Sequence, residues 1–310
     1  MSDDYDEEEV TFKTNTEISS KKANYVIDKL LGEGGFGAVY KVKDSKTGNF
    51  YAMKVEKKQE KKPSKLKMEI MILKLVCNER QTSHFTKIID RGKKDKEGFF
   101  FLVMELAGSS LADLKRNRGK AFTCPTGLSV SQQCLEACED LHKHGFIHRD
   151  LKPANFACGA DDKQHTIYIL DFGISRRIIN NQNKLKTPRV TIRFKGTLKF
   201  ASLSCHKGIE MGWKDDCESW FYMLLDLIVP FGLVWRGAND KDTVCKLKEE
   251  ARGKKEMFQG IKCGVELNKI IVYIDKLQYQ DHVDYQYIYK TLVDACDTCG
   301  GNMDAPYDWE

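Results

Sequence analysis

Hydrophobic positions change rhythm once along this chain, near residue 106. Before that point they alternate in short runs. Tyr25-Val26-Ile27, Ala38-Val39-Tyr40-Lys41-Val42 and Phe50-Tyr51-Ala52-Met53-Lys54-Val55 predict three strands of an antiparallel meander, the last two joined by a turn at Lys46-Thr47-Gly48-Asn49. Residues 86–90 and 99–106 predict two more strands around a turn at 93–98. One helix breaks the series: Leu66, Ile70, Leu73 and Val76 share a face, and Glu69 sits at its edge. Beyond 106 the spacing is helical. Leu128, Leu135, Cys138 and Leu141 mark one helix, and Leu267, Ile270, Ile271, Ile274 and Leu277 another. Residues 220–229 are apolar on every side except Asp226, which predicts a helix buried in a large core. No internal repeat is present. The pattern predicts an α+β fold, with a small antiparallel-sheet lobe carrying one main helix and a larger, mostly helical lobe.

Composition narrows the class. At 310 residues the chain suits two lobes, and its 41% hydrophobic and 31% charged content reads as soluble and globular. No stretch approaches the ~20 apolar residues of a membrane span, so no membrane partner is expected. The first nine residues are acidic and lack an apolar h-region, which argues against a secretory signal. Eleven cysteines without such a signal predict reduced thiols and a cytoplasmic or nuclear setting. Cys296-x-x-Cys299 and Cys134-x-x-x-Cys138 have no matching second pair at zinc-ligand spacing, so they read as ordinary cysteines. Charge is unevenly spread. Residues 3–9 carry six acids and no base, and residues 1–17 predict a disordered acidic tail. Residues 172–209 carry nine bases and no acid, a segregation that speaks of partners. The lysines of residues 57–67 read as a solvated helix start, and no nucleic-acid recognition module accompanies them.

Three motifs carry chemistry. Gly32-x-Gly34-x-x-Gly37 has the spacing of a dinucleotide fingerprint, but it leads into Val39-Tyr40-Lys41-Val42 rather than a helix. It therefore reads as a strand-turn-strand flap able to close over phosphates, or as an ordinary hairpin. His148-Arg149-Asp150-Leu151-Lys152-Pro153-Ala154-Asn155 places a carboxylate, a cation and an amide at offsets of two and five, which phosphoryl transfer requires. Asp171-Phe172-Gly173 follows an apolar run at 167–170.

Taken in order with Ala52-Met53-Lys54 and Glu69, these motifs resemble the protein kinases. The resemblance implies a two-lobed kinase fold, with residues 18–104 as the N-lobe and 105–310 as the C-lobe. It implies ATP and Mg2+ as cofactors and protein substrates. Asp150 would orient the substrate hydroxyl, Lys152 would meet the transferring phosphate, and Asn155 and Asp171 would hold magnesium. Lys54, held by Glu69, would grip the phosphates. Leu31, Gly32, Gly34, Gly37, Val39, Ala52, Met104, Glu105 and Ala107 would complete the ATP site. Lys152, with Thr197 further on, resembles the serine/threonine class. Gly196-Thr197-Leu198-Lys199-Phe200-Ala201-Ser202-Leu203-Ser204, in place of Ala-Pro-Glu, resembles the casein kinase I superfamily. Glu210-Met211-Gly212 and the closing Tyr307-Asp308-Trp309-Glu310 resemble its tau-tubulin kinase branch. The chain departs from that branch at Leu233-Val234-Trp235, where the family has Leu-Pro-Trp.

The same resemblance implies an anion site of Lys199, Gly237 and Lys246 for acidic or already phosphorylated substrates, cytoskeletal proteins among them. Lysine at 199 replaces the family's arginine and loses its fork geometry. A monomer is expected, without tail-mediated autoinhibition. The competing reading, a nucleotide-binding pseudokinase scaffold, conflicts with the complete set Lys54, Glu69, Asp150, Asn155 and Asp171.

Overall fold

The computed structural model describes residues 10–34, 37–59 and 64–310. The acidic residues 3–9, Gly35 and Phe36 of the flap, and lysines 61 and 62 lie outside them. The chain forms two compact units, residues 1–77 with 85–107, and 78–84 with 108–310. The boundary expected at 104/105 thus falls three residues later, and a short piece at 78–84 belongs with the second unit.

The first unit is a six-stranded antiparallel sheet with one helix. Its strands are β1 (Glu17–Ser19), β2 (Asn24–Gly34), β3 (Gly37–Asp44), β4 (Phe50–Lys57), β5 (Ile88–Lys94) and β6 (Phe99–Met104), in the order β1-β2-β3-β4-β6-β5. Helix α1 (Lys65–Val76) starts at Ser64, whose hydroxyl accepts from the Lys67 amide at 3.2 Å. Side chains alternate across the sheet. Tyr40, Met53, Val55, Phe99, Phe101 and Val103 build a core on one face. The opposite positions, Ala52 and Lys54 on β4 with Met104 and Leu102 paired across on β6, belong to the face that α1 packs against. Gly37 adopts φ +101°, and a Cβ there would lie 2.0 Å from the Val55 carbonyl oxygen, so glycine is required at that turn.

The tail expected at residues 1–17 is corrected for its described part. Phe12 packs edge-on against Tyr40 and Phe99, Val10 joins the same core, and β1 pairs with β2 through Ile18 and Tyr25. Two isolated apolar residues in a polar run carry no periodicity, yet a sheet face that would otherwise stay wet gains from covering.

The second unit is mostly helical: β7 (Ala107–Ser110), α2 (Leu111–Arg118), α3 (Cys124–Lys143), β8 (Phe146–Ile147), β9 (Phe156–Gly159), β10 (Ile167–Ile169), β11 (Arg176–Arg177), α4 (Leu203–Lys207), α5 (Trp213–Ile228), α6 (Lys241–Ala251), α7 (Gly264–Lys276) and α8 (Tyr285–Thr298). Helix α5 is its centre, every residue but Lys214 being buried. It packs against α3 and α7, and α8 packs against both of those. The buried helix expected at 220–229 therefore begins seven residues earlier. Its first turns are rich in acids that a hydrophobic count rejects, and each of them is satisfied by a partner.

Candidate functional site

The segment 148–155 is suspended from α5. Both oxygens of the buried Asp216 carboxylate accept backbone N–H groups, from His148 at 2.6 Å and Arg149 at 2.9 Å. A third contact comes from His142 Nε2 at 2.9 Å, in the last turn of α3. Burial pushes the acid up, but these bonds win and hold Asp216 below the usual carboxylate range. Arg149 can then take a left-handed φ of +72°, a turn that costs a non-glycine residue stability. Its guanidinium donates to the Ile174 carbonyl, and burial, followed by Arg176 and Arg189, pushes it down to about 10.

Beyond this turn the candidate groups converge. Asp150 Oδ1 accepts from the Thr197 hydroxyl at 2.7 Å, and Lys152 Nζ is 2.9 Å from Asp150 Oδ2 and 3.1 Å from Thr197 Oγ1. Asn155 donates its amide to the Asp150 carbonyl at 2.8 Å. Gly196 admits the Thr197 segment: its φ is +107°, and a Cβ there would sit 2.5 Å from the Arg149 carbonyl oxygen. His148 ties the neighbouring strand end. Its Nε2 lies 3.1 Å from the Leu170 carbonyl, Nδ1 accepts from the Asp150 amide, and the ring meets Phe172 edge-on. Asp171 follows with φ +63°, and the Gly173 amide donates to its carboxylate. The Asn155 amide nitrogen is committed to the backbone, so its oxygen is the ligand atom it offers. That oxygen and the Asp171 carboxylate are both hard donors of the kind Mg2+ takes.

In the first unit, Lys54 Nζ and Glu69 Oε2 form a buried ion pair at 2.7 Å. Alternation puts Val39, opposite Lys54, and Met104, opposite Ala52, on the same sheet face as that lysine. Gly32 and Gly34 have open space where a Cβ would be, so their backbone is accessible to a bulky anion. Leu31 sits at a bulge in β2 and is exposed. The Glu105 amide donates to the Lys87 carbonyl at 2.9 Å, and Ala107 is half-buried.

The anion residues are more scattered. Lys199 Nζ pairs with Asp226 at 2.6 Å, and the Trp235 indole donates to the Lys199 carbonyl at 2.8 Å. Lys246 is largely exposed and faces Glu250 on its own helix at 3.8 Å. Gly237 has no neighbour within 4 Å of a Cβ position. Among the described residues no hydrogen bond or ion pair joins Lys246 to Lys199. The acid-free run 172–209 is likewise answered from outside. Arg189 grips Glu210 at 2.6 and 2.9 Å, Arg176 approaches the same carboxylate, and Lys207 pairs with Glu249.

Sequence reasoning missed two supports. Asp216 had one signal, its place among the acids that open a helix apolar further on. The other is the fully buried Lys248, which donates to the carbonyls of Leu198 and Ala201 at 3.0 and 2.7 Å, lies 3.1 Å from His206 Nε2, and rests on the Tyr222 and Trp235 rings. It clamps the segment carrying Thr197 and Lys199. A lone lysine in a polar helix gives no such signal.

A family model described as protein kinase domain matches residues 25–202. The serine/threonine-protein kinase spe-6 of Caenorhabditis elegans is 31% identical over 301 residues, 95% of this chain and 77% of that one. A putative serine/threonine-protein kinase of the same organism is 31% identical over 292 residues, covering 92% and 82%. A probable serine/threonine-protein kinase of Dictyostelium discoideum is 28% identical over 292 residues, 93% of this chain and 57% of the relative.

Two outcomes follow from the supports. Asp216→Asn keeps the shape but turns an NH2 toward backbone donors, so chemical denaturation should show a loss of about 1–3 kcal/mol. His206 is pushed down to about 4, by burial and then by Lys248. The unfolded imidazole takes its proton near 6.5, so the folded chain loses stability as pH falls from 6.5 toward about 4. Thermal unfolding across that window should show the slope, and His206→Gln should flatten it.

Proposed function

The chain belongs to the protein kinase domain family, and we propose that it acts as an ATP- and magnesium-dependent serine/threonine protein kinase whose transfer machinery is Asp150, Lys152, Asn155 and Asp171. One observation carries this reading. The Thr197 hydroxyl lies between the Asp150 carboxylate and the Lys152 ammonium, at 2.7 and 3.1 Å. A serine or threonine alcohol is thus held by an acceptor that can orient its lone pair and a cation that can meet developing negative charge. Substrate hydroxyls would be held by Asp150 in the same manner.

The chemistry asked of the protein is positioning and charge neutralisation. Asp150 takes the hydroxyl proton, and Lys152 stabilises the phosphoryl group in transit. Lys54, fixed by Glu69, binds the nucleotide phosphates, and the backbone at Gly32 and Gly34 can approach them closely. Asn155 and Asp171 supply oxygen ligands for Mg2+. Bound magnesium neutralises phosphate charge.

Finer features belong to the same proposal. The run Gly196–Ser204 and the residues after Glu210 support a casein kinase I type enzyme of the tau-tubulin branch. The basic segment supports a preference for acidic or phosphorylated protein substrates, with Lys199 as its contact. That preference is modest in this reading, since Asp226 competes for the Lys199 ammonium. We place the enzyme, as a monomer, in the cytoplasm or nucleus.

Phosphate transfer from ATP to casein should drop by at least about a hundredfold in Asp171→Asn with little change in thermal unfolding; an unchanged rate sinks the assigned machinery. On a peptide with phosphoserine a few positions before the target serine, the rate should exceed that on its unphosphorylated twin, and Lys199→Ala should shrink the ratio. Equal rates on the two peptides would remove the substrate preference while leaving the activity standing.

A further inference from the structure

Outside the catalytic segment, three thiols converge that the sequence holds wide apart. The sulfurs of Cys124, Cys263 and Cys299 all lie within 4.8 Å of one another. All three cysteines are free of disulfide bonds. Cys263 is buried, and Cys124 and Cys299 are half-buried, so the cluster is anchored inside and reachable from outside. We propose that Cys124, Cys263 and Cys299 form a binding site for Zn2+, joining the starts of α3 and α7 to the end of α8.

Geometry is the first argument. Tetrahedral zinc with Zn–S bonds of about 2.3 Å holds its sulfurs roughly 3.8 Å apart. The three sulfurs, all within 4.8 Å of one another, exceed that spacing by at most about 1 Å. A disulfide would use two of them and leave the third without a role.

Electrostatics is the second. Three thiolates around Zn2+ carry a net charge of −1. Cys124 is the first residue of α3, a helix of 20 residues, and Cys263 caps the N-terminus of α7. Both helix starts present the positive end of the dipole, which favours thiolate and the anionic complex. Neither start has a side-chain cap hydrogen bond competing for its amides. Cys299 closes the C-terminus of α8, where the dipole opposes, so two ends favour the complex and one does not.

The elements are also held in place without the ion. Thr123 is tied to the Asp308 carboxylate through its amide and hydroxyl at 2.7 and 2.9 Å. The turn after α8 is closed by Gly300 and Gly301 amides bonded to Asp297 and Cys296 carbonyls. A Cβ at Gly301 would lie 2.3 Å from Pro125, so glycine lets this turn lie against the start of α3. The turn reads Cys296-Asp297-Thr298-Cys299-Gly300-Gly301. Cys296 is buried one helical turn before Cys299 on α8, outside the set of three mutually close sulfurs. The fourth zinc position is filled by Cys296 or by water. Each bound ion displaces one proton from each coordinating thiol and changes no oxidation state. The site is a brace for the start of α3, whose last turn carries His142 to Asp216.

The test uses the full chain, purified under reducing conditions, equilibrated with Zn2+ and dialysed. Elemental analysis should find about one zinc per chain, and Co2+ in its place should show a thiolate-to-cobalt charge-transfer band. Cys299→Ser, at a half-exposed position, should weaken binding at least about tenfold with the circular dichroism spectrum unchanged. The triple serine variant should abolish it, and Cys77→Ser, outside the cluster, should keep it. Cys296→Ser separates the two versions of the site: loss of affinity makes Cys296 the fourth ligand, and retention makes it water. Chelation should lower the melting temperature of the wild-type chain and leave the triple variant unmoved. No zinc on the wild-type chain, equal binding by the triple variant, or a disulfide between two of the three cysteines in the reduced preparation would each overturn the site.

Discussion

The candidate site in this protein depends on one carboxylate. Asp216 sits in the first turns of a helix buried on all sides, and it accepts the backbone amides of His148 and Arg149. A turn buried at that depth cannot leave its N–H groups unpaired, since each costs about 1–3 kcal/mol. The helix N-terminus favours a negative charge there, and the charged bonds offset its burial. The left-handed Arg149 persists because both amides flanking the turn are held. Asp150, Lys152 and Asn155 take their positions from that turn, so a side chain outside the candidate group sets the geometry of those within it.

The N-terminal unit solves a similar problem by alternation. Lys54 lies on the opposite sheet face from Met53 and Val55, and α1 covers that face, so Glu69 meets the ammonium where water does not. Unpairing either partner would strand a buried charge, which is why this pair fixes one arrangement rather than adding much stability. The other face is closed in part by Phe12 and Val10.

Charge followed a different logic. Nine bases without an acid suggest an open positive platform when read along the chain. In three dimensions Glu210, Asp226 and Glu249, distant or just outside the run, pair with Arg189, Arg176, Lys199 and Lys207. Segregation in sequence is therefore only partly segregation in space, because long side chains find opposite charge wherever the fold delivers it.

The sequence by itself determined the α+β class, the strand meander, α1, the buried α5 and the residues of the 148–155 and 171–173 motifs, because local periodicity and fixed short spacings carry them. Lys54 with Glu69 was legible for the same reason, one on a strand and one on the next helix. Tertiary structure alone decided the rest. The inward turn of Val10 and Phe12, the hold of Asp216 and Lys248 on distant loops, and the meeting of Cys124, Cys263 and Cys299 join segments far apart in sequence. Such contacts leave no periodic trace. They exist only once helix packing has brought the ends of α3, α7 and α8 together and buried α5 among them.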